Sequence, residues 1–277
     1  MGIDSVGKVT PDDLTGGFQR LGLTDGDQVV LHTSLRNVGE IHGGAAMVLH
    51  RMLRMLGERG TLLMPTFTSV ARHSSTHDDY TKPGCWCEGI EGRHLPFIPE
   101  LQPDKNLGEL AHRLCSWPSS RRTRHPAYSF VSVGKETDNL MRNSSLLDPL
   151  QPLRAFLSQD PKIVVLGIGL DSVSALHIAE QQYQPAKYIR ERALTMTTKG
   201  QAWVEVAALG CSNGFHKLTS HLSNTDFKET RIGSAVARLY SMKTLLQRAE
   251  EMLTEDHLSF DCGRSECLSC GLAKIQH

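Results

Sequence analysis

Apolar positions recur along this chain in two rhythms, a helical spacing and short unbroken runs, and the two alternate. Helical spacing covers Pro11 to Leu21, Gly44 to Leu56, Leu107 to Cys115, Pro149 to Leu157, Ser172 to Gln182 and Met242 to Leu253. Apolar strands lie between them at Val29 to His32, Leu62 to Pro65, Tyr128 to Val133 and Ile163 to Ile168. Such alternation predicts an α/β fold, a central mixed sheet flanked by helices. Ala193 to Thr197 and Trp203 to Val206 alternate about Lys199-Gly200 and predict an added β-hairpin on that sheet. Thr68 to Pro103 is a long irregular insertion rich in Gly, Pro, His and charges, either a lid or substrate wall or a stretch without fixed structure.

Within this frame the stretch Ile163 to Glu180 carries the most chemistry. Four aliphatic residues, Ile163 to Leu166, suit a strand covered on both faces, and Gly167 and Gly169 permit a tight turn after it. In the helical segment that follows, Ser174, His177 and Glu180 fall three apart and are expected on one face. An imidazole can take a proton near neutral pH, and a nearby carboxylate can orient it, which makes half of an acyl-transfer site. The same pair also occurs as a solvated couple or a satisfied core histidine, and spacing alone does not separate the readings. A second strand, Gln28 to Leu31, runs into His32, Thr33 and Ser34, and Gly43-Gly44 precedes a helix patterned by Val48, Leu49, Met52, Leu53 and Leu56. Backbone amides and hydroxyls at such a strand-to-helix passage can hold a phosphate or an extended polar ligand, although a Gly-Gly pair can equally be only a turn.

Five blocks of this chain, taken in order, resemble the aminoglycoside 3-N-acetyltransferase family. They are His32-Thr33-Ser34-Leu35 with Gly39 and Gly43-Gly44, then Gly60 to Thr66, then Arg124-His125-Pro126 with Ser129-Phe130, then Asp171 to Glu180, and finally Ile232-Gly233 with Ala237-Arg238-Leu239. The resemblance implies an acetyl-CoA-dependent N-acetyltransferase acting on an amine of an aminoglycoside-type substrate, in antibiotic resistance or antibiotic biosynthesis. It implies His177 as general base with Glu180 supporting it or facing the amine; since no cysteine stands beside His177 in the sequence, direct transfer in a ternary complex is expected over a Cys-His nucleophilic route. His32, Thr33, Ser34, Leu35, Val38 and Gly39, with Ser129 and Phe130, would embrace the CoA arm, and Asp171 and Ser174 would face the substrate. His32, ending a strand, is equally suited to bonding backbone, and His125, before a proline, to shaping its loop. Leu170 and Val173 stand where the family often has an aromatic residue or His and an Asn, and Ser144 to Leu150 replaces a glycine-and-acid run. These departures fall at the acceptor side and favour the same chemistry on a non-aminoglycoside biosynthetic amine, while the Cys-rich tail leaves open a non-enzymatic, CoA-binding or zinc-stabilised interaction protein, against which His177 and Glu180 speak.

Composition narrows the partners. The chain has 277 residues, 39% hydrophobic, with 30 Lys and Arg against 30 Asp and Glu, so it can bury a sizeable core and has no excess charge to draw it to nucleic acid. It has no apolar run long enough to cross a membrane and no basic-then-apolar N-terminal leader, so the cytoplasm is the default location. The partners that the resemblance implies remain CoA and a small amine, with a homo-oligomer left open. Seven cysteines, an odd number, point the same way. Three of them, Cys262, Cys267 and Cys270, sit in a turn-rich tail and could converge on a structural zinc, with His257, Asp261, Cys85 or Cys87 as a fourth ligand. The alternative is a set of reduced thiols on a flexible tail. Cys115 and Cys211, in apolar surroundings, are expected to pack as small hydrophobes. The expected organisation is a transferase domain over 1–255 and a Cys-rich tail over 256–277.

Overall fold

A computed structural model describes residues 7–73, 94–142 and 144–275. Its strands are β1 Gln28–Thr33, β2 Thr61–Pro65, β3 Arg72–His73, β4 Arg121–Arg122, β5 Phe130–Gly134, β6 Lys162–Leu166, β7 Arg190–Thr197, β8 Gly200–Ala207, β9 Phe227–Ile232 and β10 Ala235–Ser241. Its helices are α1 Pro11–Leu21, α2 Leu35–Val38, α3 Gly44–Leu56, α4 Gly108–Cys115, α5 Thr137–Arg142, α6 Gln151–Phe156, α7 Leu176–Tyr183, α8 Met242–Glu255 and α9 Leu268–Ile275. None of the described helices is long and apolar enough to cross a membrane.

Seven strands form one mixed sheet in the order β4-β5-β2-β1-β6-β10-β9. The strands β2, β1 and β6 at its centre run parallel, and β5 and β10 join them antiparallel. Period-two alternation divides the side chains between two cores. Val29 and Leu31 of β1 and Val164 and Leu166 of β6 pack with α1, α3 and α4. Val30, Ile163 and Val165 enter the opposite layer, with Leu153, Leu176, Ala179, Leu245 and Ala249 of α6, α7 and α8. By the same alternation His32 belongs to the face that carries α7.

Local signals explain the element boundaries. Thr10 and Asp13 cap α1 reciprocally, Asp12 and Asp13 lie in its positive first turn, and Gly22 ends it with φ of 92°. After β6 the chain turns sharply at Gly167, whose φ is +67° and where a Cβ would lie 2.9 Å from the Ser34 carbonyl oxygen. Only glycine lets the β1 and β6 exits approach so closely.

Two expectations need correction. The β7–β8 hairpin forms, but it pairs with β3 in a separate three-stranded sheet and does not join the central one. The place next to β6 is taken by the β9–β10 hairpin, which the periodicity did not reveal. Residues 74–93 of the insertion lie outside the described residues; one described end is β3, and the other clamps β7 through Phe97 N–H to Leu194 O at 2.8 Å and Met196 N–H to Phe97 O at 3.0 Å. The second correction is that α7 begins at Leu176. Leu170–Ser172 forms a 3₁₀ turn and Ser174 precedes the helix, its carbonyl accepting from His177 N–H at 3.3 Å. Ser174 therefore does not share a helix face with His177 and Glu180.

Candidate active site

The β6 exit delivers α7 with His177 and Glu180 one turn apart and both buried. His177 Nδ1 lies 2.9 Å from Glu180 Oε2, and the Tyr188 hydroxyl donates to that same oxygen at 2.7 Å. Lys187, with its side chain fully buried, donates to Glu180 Oε1 and sits 3.4 Å from the Phe260 carbonyl. Burial pushes the Glu180 carboxyl upward, but the His177 hydrogen bond and the Lys187 ammonium outweigh it and hold the group below its ordinary value. Tyr188 is raised well above the usual phenol value by burial and then by the Glu180 charge, so it stays a donor.

These contacts settle the imidazole's tautomer. An ionised carboxylate can only accept, so Nδ1 carries the proton and Nε2 presents a lone pair. Among the described residues no hydrogen bond reaches Nε2, while Phe215 packs against the ring with centroids 4.7 Å apart. Lys187 and Tyr188 were not legible as site residues, because they follow the break at Pro185 and lie outside the helical register of His177 and Glu180.

The other candidate residues divide between ligand-accessible and internally committed positions. His32 is buried on the α7 face, burial lowers its imidazole to about 4, and its Nε2 has no partner among the described residues. Thr33 is buried too, its hydroxyl equally without a partner there. Ser34 and Leu35 are half-buried, Gly39 is exposed, and Val38 belongs to the core. An open cavity of about 450 Å³ adjoins this turn at the ends of β1 and β6, lined by Asn37, Gly167, Gly169, Ser234 and Arg238 among others; His177 does not line it.

Ser129 and Phe130 are fully buried. The Ser129 hydroxyl donates to Thr66 O at 2.7 Å and accepts from Arg122 Nε at 2.9 Å. Arg122 in turn binds Pro99 O at 3.2 Å, and Leu101 O, tying the insertion's end to the sheet. Neither side chain is open to a ligand. His125 Nδ1 accepts from Tyr128 N–H at 3.0 Å and shapes its loop. Asp171 is committed to His216, accepting from its backbone N–H at 2.8 Å, and Ser174 is buried.

The tail is not a loose appendage. Phe260 is in the second core and α9 packs against the 3₁₀ turn Pro185–Lys187. Cys262, Cys267 and Cys270 come together, and the group includes Cys211, which is not the isolated apolar packer expected. The turn containing Gly210 to Gly214 was the available signal, and a lone cysteine in it was too little to read. Cys115 does pack against the first core. Cys85 and Cys87 lie outside the described residues.

The frame is a mixed α/β sheet whose strand β6 runs out through a tight turn to a helix carrying a buried, carboxylate-bound imidazole. The chain belongs to the aminoglycoside 3-N-acetyltransferase family, whose model matches residues 30–254. It is 32% identical over 180 residues to aminoglycoside N(3)-acetyltransferase IX of Micromonospora chalcea, an alignment that spans 64% of this chain and 63% of that relative. It is 25% identical over 248 residues to the SPbeta prophage-derived aminoglycoside N(3')-acetyltransferase-like protein YokD of Bacillus subtilis (strain 168), covering 87% of this chain and 91% of YokD. The YokD crystal structure superposes with a TM-score of 0.81 at 24% identity over 91% of this chain and 95% of that one. The structure of AAC-IIIb, described as a binary complex with CoASH, superposes with a TM-score of 0.76 at 22% identity over 90% and 97% of the two chains.

Proposed function

We propose that this protein moves an acetyl group from acetyl-CoA to an amine of an aminoglycoside-type acceptor by direct transfer, with His177 Nε2 as the general base. The neutral amine attacks the thioester carbonyl, the N–C bond forms and the C–S bond breaks. The amine proton passes to Nε2, and the CoA thiolate is released to be protonated. The observation that carries this reading is the Nδ1–Glu180 contact of 2.9 Å, which orients the ring and leaves Nε2 free to accept. Glu180 then stabilises the imidazolium as it forms, while Lys187 and Tyr188 keep that carboxylate ionised and fixed. Family membership supports acetyl-CoA as the cosubstrate.

CoA is assigned to the turn from His32 to Gly39 and the adjoining cavity, where Ser34, Leu35 and Gly39 reach the surface. Ser129 and Phe130 are buried two strands away, at β5, and act there on the packing of the sheet rather than on the ligand, while Asp171 and Ser174 flank the acceptor side. A second acceptor class, a small biosynthetic amine, is favoured by the buried aliphatic Leu170 and Val173, which offer no polar contact to a polycationic sugar.

The test is His177→Ala, followed by CoA thiol release against a panel of aminoglycosides and simpler amines. Loss of general-base catalysis lowers turnover by about two to four orders of magnitude, with CoA affinity measured by calorimetry little changed. Near-wild-type turnover in the variant overturns the assignment. The panel distinguishes the two acceptor classes.

A further inference from the structure

Four cysteines from three separate stretches meet beside the charge network of His177, outside the transfer chemistry. Cys211 lies in the turn after β8, Cys262 follows the Asp261 bend, and Cys267 and Cys270 enter α9. All four are free thiols, and their sulfurs lie within 4.8 Å of one another. We propose that Cys211, Cys262, Cys267 and Cys270 bind one zinc ion as a closed four-thiolate site that staples the C-terminal segment over the buried Glu180–Lys187 pair.

Tetrahedral zinc with Zn–S bonds of about 2.3 Å sets sulfurs roughly 3.8 Å apart, so a contraction of at most about 1 Å completes the site. The C-x4-C-x2-C spacing of the three tail cysteines is that of structural zinc ligands, and Cys211 adds the distant fourth. The backbone is already folded for it. Cys267 O accepts from Gly271 N–H at 2.8 Å, the Asp261 carboxylate accepts from Gly263 N–H at 2.7 Å, and Cys211 N–H donates to Ser269 Oγ at 3.0 Å. Four thiolates and one Zn²⁺ carry two net negative charges, and Lys187 and Lys274 lie within electrostatic reach of the sulfurs. On binding, the S–H bonds break, Zn–S bonds form and the protons go to solvent. No oxidation is involved.

Four protein ligands leave no open position, so the metal holds structure and does no chemistry. What it holds is specific. A Cβ at Gly210, the residue before Cys211, would lie 3.1 Å from Lys187 Cβ and 3.5 Å from Glu180 Oε2, and Phe260, just before the other three cysteines, offers its carbonyl to Lys187. The metal would therefore fix the two segments that close over the Glu180–Lys187 pair.

The experiment is elemental analysis of the full chain purified without added metal or chelator, with cobalt exchange as a second readout. About one zinc per chain is expected, and Co²⁺ should give the intense visible absorption of tetrahedral thiolate coordination. Cys211→Ser should retain less than about half of that zinc, whereas Cys115→Ala retains it, since only the first removes one of four ligands. Because Cys211→Ser could fail to fold, the wild-type cobalt spectrum is decisive by itself. Zinc well below one per chain with no tetrahedral cobalt spectrum overturns the proposal, and so do disulfides among the four or a folded Cys211→Ser with undiminished zinc. None of these readouts depends on acetyl transfer.

Discussion

At the residue scale the decisive group is Glu180, whose two oxygens are shared by His177, Tyr188 and Lys187 with no exposure to water. A buried carboxylate so satisfied can hold an imidazole in one tautomer, but it makes its partners interdependent. Glu180→Gln leaves Lys187 as a buried cation without a counter-charge, and the expected cost is about 3–5 kcal/mol in urea unfolding. The double variant Glu180→Gln with Lys187→Met should recover a large part of that loss, because both charges are gone. Additive losses in the double-mutant cycle would show that the pair is not coupled. The sequence exposed His177 and Glu180, since their spacing is local. It concealed Tyr188 and Lys187, because their approach depends on how the chain reverses after Pro185.

At the scale of elements, the site depends on two sharp turns that bring strand ends together. Gly167 lets β6 leave the sheet beneath the Ser34 backbone, and Gly233 closes the β9–β10 hairpin that flanks β6. Gly233 has φ of +58°, and a Cβ there would lie 2.3 Å from the Val38 carbonyl oxygen. Gly233→Ala thus combines a left-handed backbone penalty with a clash against backbone, and the melting temperature should fall by about 5 °C or more. A melt within about 1 °C of wild type would mean that the turn relaxes without strain. The consequence extends to the cavity, which Ser234 and Arg238 of this hairpin line together with Asn37. Helices α1 and α3 matched their periodicity closely, with Pro11, Gly22 and Gly57 marking their limits. The start of α7 did not, because the 3₁₀ turn at Leu170–Ser172 uses the same apolar positions without continuing as a helix.

At the scale of the whole molecule, two buried imidazoles tie stability to pH. Burial lowers both His32 and His125 from 6.5 to about 4. The unfolded chain therefore binds protons that the folded one refuses between these values. Stability falls as pH drops through that window, by up to about 3 kcal/mol for each imidazole, and levels off below it. His32→Asn should flatten the curve of unfolding free energy against pH between about 6.5 and 4, by up to one proton in slope. Parallel curves for variant and wild type would show that His32 protonates freely in the fold. What the sequence alone determined is what short-range physics governs: the alternation of helix and strand, the turn glycines, and the placing of His177 and Glu180 one helical turn apart. Tertiary structure alone decided which strands adjoin β6, which face His32 occupies, and that Lys187, Tyr188 and Cys211 come from beyond a helix break or across a hairpin. Those outcomes rest on backbone pairing and burial between residues far apart in the chain, where no local periodicity carries the information.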